Sequence, residues 1–207
     1  MPASRPYHHG NLRGALVDAG VELARLGGPD AVVVREASRQ VGVSHNAAYR
    51  HFADRDLLLK TVCERCMAKF ARLIERRVAE VPDDSDTAAL SWARLEATGS
   101  AYIEFALSEP GWFRTAFAVP PSLEHLGPGE GVGDSGLNPF ELLGERLDAL
   151  VAVGELPPER RPNAEISAWS AVHGLSTLLN EGPLRALPDA DRSAVITQLL
   201  QMVSRGL

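Results

Sequence analysis

A chain of 207 residues with 45% hydrophobic and 23% charged residues can build one large core, or a small and a larger one, without disulfides or structural metal. No stretch reaches the roughly 18 uncharged apolar residues of a membrane span, and Met1 to Gly10 carries His, Arg and Pro where a secretory signal would be apolar, so a cytoplasmic protein is expected. The net charge of −6 hides an asymmetry: residues 1–60 hold 8 Lys/Arg against 6 Asp/Glu and residues 61–207 hold 13 against 21, so the basic end is N-terminal.

Asn11 is a helix cap, and Leu12, Leu16, Ala19, Leu23 and Leu26 recur at helical spacing until Gly27-Gly28-Pro29 stops the run. Val32-Val33-Val34 alone would suit a short strand, but it leads into helix-compatible Arg35 to Val41, ended by Gly42, so a short second helix is expected. Ser44 caps a third helix over His45 to Phe52, and Asp54 caps a long fourth from Arg55 to about Val81, closed by Pro82 and the acidic run Asp83-Asp84-Ser85-Asp86. Further helices are read over Thr87 to Leu107, Trp112 to Phe117, Phe140 to Val153, Ala164 to Asn180 and Ala190 to Arg205. Val119 to Leu137, with three prolines and five glycines, reads as a flexible loop.

The segment Val34 to Phe52 has the parts of a helix-turn-helix. Gly42 admits a left-handed turn, Val41 and Val43 make the apolar contact across it, and Ala37 is small enough for the two helices to cross closely. The second helix then offers Ser44, His45, Asn46, Tyr49, Arg50 and His51 in one polar and aromatic run. Asn suits bidentate bonding to adenine and Arg to guanine, while Ser and Tyr hydroxyls suit phosphates.

Arg35-Glu36 through Gly42-Val43-Ser44, then Ala48-Tyr49-Arg50-His51-Phe52 and Asp54-Arg55, resembles the N-terminal signature of tetracycline-repressor-like (TetR/AcrR) regulators. The resemblance implies an all-α fold of about nine helices: a three-helix DNA-binding domain at residues 1–60, and a larger helical domain at 61–207 for effector binding and dimerisation. It also implies that Ser44, His45, Asn46 and Tyr49 face DNA, that Tyr49, His51 and Arg55 meet phosphates, and that Phe52 packs the small domain. Arg35 and Arg50 complete the DNA-binding set. Two departures stand out: Val33 occupies the place of a capping Ser or Thr that touches phosphate, and Ser38 replaces an Ala at the helix crossing, where its hydroxyl can bond back to the preceding turn.

In the C-terminal half, Trp169-Ser170-Ala171-Val172-His173-Gly174 resembles the Trp…His-Gly signature of one branch of these regulators, and Tyr7-His8-His9-Gly10-Asn11-Leu12-Arg13 fits that branch too. Trp169 and His173 share a helix face, as core packing or as ligand contacts. Trp112, Phe113, Phe117 and Phe140 flank the glycine-rich loop and, with Trp169 and His173, form the candidate effector-binding set for an apolar or amphipathic small molecule. The last two helices match the pair that dimerises in the family, with Val172, Leu175, Leu179, Ile196, Leu199 and Leu200 as apolar surface. Cys63-Glu64-Arg65-Cys66 is either a redox pair or two ordinary half-buried thiols; zinc would need two more ligands that the sequence does not place.

No nucleophile elbow, phosphate loop or metal quartet is present, so neither an enzyme nor a cofactor or metal protein is expected. The reading is a homodimeric transcriptional regulator, a repressor released from double-stranded operator DNA by a small molecule. A helical adaptor that binds only protein, and a redox-responsive regulator using Cys63 and Cys66, are the alternatives.

Overall fold

The structure is a computed structural model and describes residues 11–83, 86–119 and 131–206. Met1 to Gly10, Asp84-Ser85 of the acidic run and residues 120–130 of the glycine-rich segment lie outside the described residues, as does most of the second branch signature. Nine α-helices and no strand are present among the described residues, and they form two compact units. Among the described residues, one comprises 11–66 together with 111–119; the other comprises 67–83, 86–110 and 131–206.

The first unit opens with α1 (Leu12–Gly27), whose Asn11 side chain accepts from the Gly14 amide at 3.0 Å. Its Leu16, Val17, Val21, Leu23 and Ala24 are buried, a stripe at helical spacing that forms the floor of the small core. Gly20 in that stripe faces Val62: a Cβ there would stand 2.7 Å from the valine methyl, so glycine allows the close approach. A single 3-10 turn, Pro29–Ala31, follows, then α2 (Val34–Val41) and α3 (His45–Tyr49). Val33 is extended and exposed while Val32 and Val34 are buried, so the three valines form a short extended entry that becomes helix at Val34. The third helix is shorter than expected. Beyond Tyr49 the chain tightens so that His51 and Phe52 both donate to the Ala48 carbonyl, which turns the Phe52 ring into the core.

The long helix α4 (Arg55–Ala79) starts where the Asp54 carboxylate accepts from the Leu57 amide, and its residues are divided between the two units. In the second unit, α5 (Thr87–Ser108) is capped by Asp86, which accepts from the Ala88 and Ala89 amides. It packs with α7 (Pro139–Ala152), α8 (Ala164–Asn180) and α9 (Asp189–Gly206). A capping box of Asn138 and Glu141 starts α7. The remaining helix, α6 (Pro110–Ala116), is assigned from Gly111 onward to the first unit, although it lies between helices of the second in sequence. No helix among the described residues is long and apolar enough to cross a membrane.

Candidate DNA interface and effector region

The turn between α2 and α3 is built as the residues demand. Gly42 takes φ 76° and ψ 31°, the left-handed conformation that costs a side-chain residue but not glycine. The Gly42 amide donates to the Arg39 carbonyl and the Val43 amide to that of Ser38, which closes α2 and redirects the chain. Ser44 Oγ then accepts from the Ala47 amide at 3.3 Å and starts α3. Ala37 and Ala48 are fully buried. Ser38 is also fully buried, and its hydroxyl donates to the Val34 carbonyl at 2.6 Å, so the departure from alanine is absorbed within α2. Val33 caps α2 with no side-chain hydrogen bond, leaving an exposed apolar group at the helix start.

Around this framework the candidate DNA contacts Arg35, Ser44, His45, Asn46, Tyr49, Arg50 and His51 are all exposed, with Tyr49 at 49%. An exposed large aromatic among polar side chains on a helix five residues long is not there for the core. Arg55 differs: its Nε donates to the Val32 carbonyl at 3.1 Å and an Nη to that of Pro29 at 2.7 Å. It fastens α4 to the segment before α2, a bracing role that its sequence position did not reveal. Neighbouring charges are partly cancelled. Arg39 pairs with Glu36, and the bond holds the Glu36 carboxyl below the usual carboxylate range.

The six residues of the candidate effector set divide between the units. Trp112, Phe113 and Phe117 lie in the first. Trp112 Nε1 donates to the Val21 carbonyl of α1 at 2.8 Å, and the Arg25 guanidinium sits 5.0 Å above its ring. Phe113 is buried and packs edge-on against Phe117. Phe140, Trp169 and His173 lie in the second unit, where Phe140 meets Trp169 edge-on with centroids 5.9 Å apart.

There they join Tyr102, a residue outside the set expected from the sequence. Tyr102 of α5 accepts at its hydroxyl from Trp169 Nε1 at 3.0 Å and shares a 2.7 Å hydrogen bond with His173 Nδ1. The two α8 residues, one turn apart, thus grip one phenol. Phe70 stacks on Phe105 and meets Tyr102 edge-on, extending the aromatic group. Burial raises the Tyr102 phenol well above its usual range and lowers His173, so both are neutral at physiological pH.

The apolar stripe expected to dimerise faces inward instead. Val172, Leu175, Leu179 and Leu200 are buried within the protomer, and Ile196 and Leu199 are half-buried. They satisfy their own core because α8 packs on α5 and α9. What α8 and α9 leave outside is uncharged over long stretches: Ile166, Ser170, Gly174 and Leu178 on one, Ala194, Thr197, Gln201 and Met202 on the other.

Cys63 and Cys66 are both buried and are not joined in a disulfide, and burial pushes the Cys63 thiol up to about 11. A thiol so raised is almost wholly protonated near neutral pH and is a poor redox nucleophile. The geometry favours the packing reading of the pair.

The family model described as "Tetracyclin repressor-like, C-terminal domain" matches residues 95–203, more than half of the chain, and "Bacterial regulatory proteins, tetR family" matches residues 16–62. Among solved structures the chain is similar to a protein of unknown function from Rhodococcus sp. RHA1, with 26% identity, a TM-score of 0.74 and 99% of each chain covered. It is similar in fold to TetR from Acinetobacter baumannii AYE, at 19% identity and TM-score 0.60, covering 93% of this chain and 94% of that one. The same holds for FadR from Bacillus subtilis in complex with stearoyl-CoA, at 15% identity and TM-score 0.61, covering 94% and 98%. No curated protein matches the chain. The two family matches take in the helix-turn-helix and the helices from within α5 to within α9, and on them the chain belongs to the tetR family of bacterial regulatory proteins: it is a DNA-binding transcriptional regulator of the ligand-responsive repressor kind.

Proposed function

We propose that the protein acts in the cytoplasm as a homodimer that holds its operator until an apolar or amphipathic small molecule binds the C-terminal half. The observation that carries this reading is the left-handed Gly42 turn between a closed α2 and a Ser44-capped α3 whose outer side chains are polar and exposed. In this reading Asn46 and Arg50 bond base edges, while Ser44, His45, Tyr49, His51 and Arg35 orient the helix on the sugar-phosphate backbone. Residues 1–60 carry DNA binding and 61–207 carry effector binding and dimerisation, with Arg55 as a brace and α6 as the exception.

The aromatic group of Phe70, Tyr102, Phe140, Trp169 and His173 is the effector region we assign, because it joins apolar surface to a few oriented polar groups. The stearoyl-CoA bound by the Bacillus subtilis neighbour supports a small-molecule effector in this fold. Effector binding shifts the population between two dimer geometries through α4, which contributes to both units, and the separation of the two recognition helices changes with it.

An electrophoretic shift with DNA from around the protein's own gene tests the reading. Salt-sensitive, sequence-selective retardation is expected; its absence with and without cell extract metabolites would overturn it. Within that assay, Tyr49→Ala should weaken binding to all sequences alike, whereas Asn46→Ala should mainly erode the preference for the operator over random DNA.

A further inference from the structure

Arg13 lies in the first turn of α1, is exposed, and holds its guanidinium carbon 5.0 Å from the centroid of the Phe52 ring. Phe52 is fully buried and follows α3 directly after the exposed His51. The contact therefore places a cation of α1 at the C-terminal end of the recognition helix, beside a residue already assigned to phosphate.

A ring face fixes a guanidinium without consuming its N–H donors or cancelling its charge, as a carboxylate would. Several other cations of this unit are committed. Arg39 pairs with Glu36 and Arg65 with Asp18, while Arg55 bonds two carbonyls and lies within 4 Å of Asp30 and Asp56. Arg13, Arg35 and Arg50 make no ion pair among the described residues. The weak net charge of residues 1–60 thus understates the field at α3, because its acids are largely absorbed by cations held elsewhere.

We propose that Arg13 is a further DNA-binding residue, a phosphate anchor pre-oriented by Phe52 that bonds the operator backbone at the end of α3. The proposal rests on the DNA-binding reading above. The test compares the parent chain with Arg13→Gln and Arg13→Lys, titrating DNA from around its own gene and an unrelated duplex across a salt series. Arg13→Gln should weaken binding to both duplexes about three- to tenfold near 0.1 M salt and reduce the slope of log K against log salt by about 0.9 for one lost phosphate contact. Arg13→Lys should keep the parent slope. An unchanged slope in Arg13→Gln, or an Arg13→Lys that loses slope as Gln does, would overturn the anchor. A parent chain that binds neither duplex would overturn the DNA reading and the anchor together.

Should Arg13→Gln not fold, arginine-directed chemical modification of the parent chain, read by mass spectrometry, decides. DNA should shield Arg13 and leave the Asp18-paired Arg65 unchanged; equal modification of Arg13 with and without DNA would overturn the proposal.

Discussion

Tyr102 links two helices through one hydroxyl, because α8 presents Trp169 and His173 a turn apart and α5 offers a phenol between them. Removing that hydroxyl in Tyr102→Phe leaves a part-buried indole N–H and an imidazole nitrogen without this partner, at a cost of about 1–3 kcal/mol. A denaturant midpoint lowered with an unchanged m-value would register it. His173 adds a pH dependence whose sign is fixed. Burial lowers its pKa from the ordinary 6.5, so the unfolded chain takes up the proton first. Its contribution is complete above about pH 6.5 and is lost as pH falls from there through the lowered value. His173→Gln should flatten the decline of stability over that window. At this scale the sequence was partly readable. The spacing of Trp169 and His173 placed them on one face, but their shared partner sits 67 and 71 residues away, and only the packing of α5 on α8 joins them.

Among the elements, the helix-turn-helix was the most legible, since its determinants are local: a glycine that must turn left, a serine that caps, and small residues at the crossing. α6 was legible as a helix but not in its role. Its aromatic run looked like a pocket wall, whereas Trp112 bonds a carbonyl 91 residues earlier in α1. Gly111 explains the fit: a Cβ would stand 2.2 Å from the Arg25 carbonyl oxygen and 2.4 Å from that of Ala24, both backbone atoms that cannot give way cheaply. Gly111→Ala should therefore push α6 off α1. We expect a loss of about 1–3 kcal/mol, as for other overpacked contacts, and faster amide exchange at the C-terminal end of α1. Unchanged exchange there would argue against the seam.

For the whole molecule, apolar periodicity located α8 and α9 but could not distinguish a protomer's own core from its partner surface. Val172, Leu175 and Leu179 went inward, and the face left outside reads in sequence as ordinary small and polar surface, marked only by Ile166, Leu178 and Met202. In the proposed homodimer that face is the interface, so Leu178→Glu on each copy should place like charges opposite one another and shift the protein to monomer in sedimentation. The monomer should keep its helical content yet lose most operator affinity, because a single small basic unit binds a half-site weakly.

The central claim is that paired α3 helices read DNA, and footprinting of the intact protein on DNA from around its own gene tests it most directly. Two protected half-sites related by two-fold symmetry, centred about one helical turn of roughly 10 base pairs or a multiple of it apart, are the expected result, with both lost together in Leu178→Glu. A single protected site insensitive to Leu178→Glu, or no protection at salt low enough for non-specific binding, would contradict it.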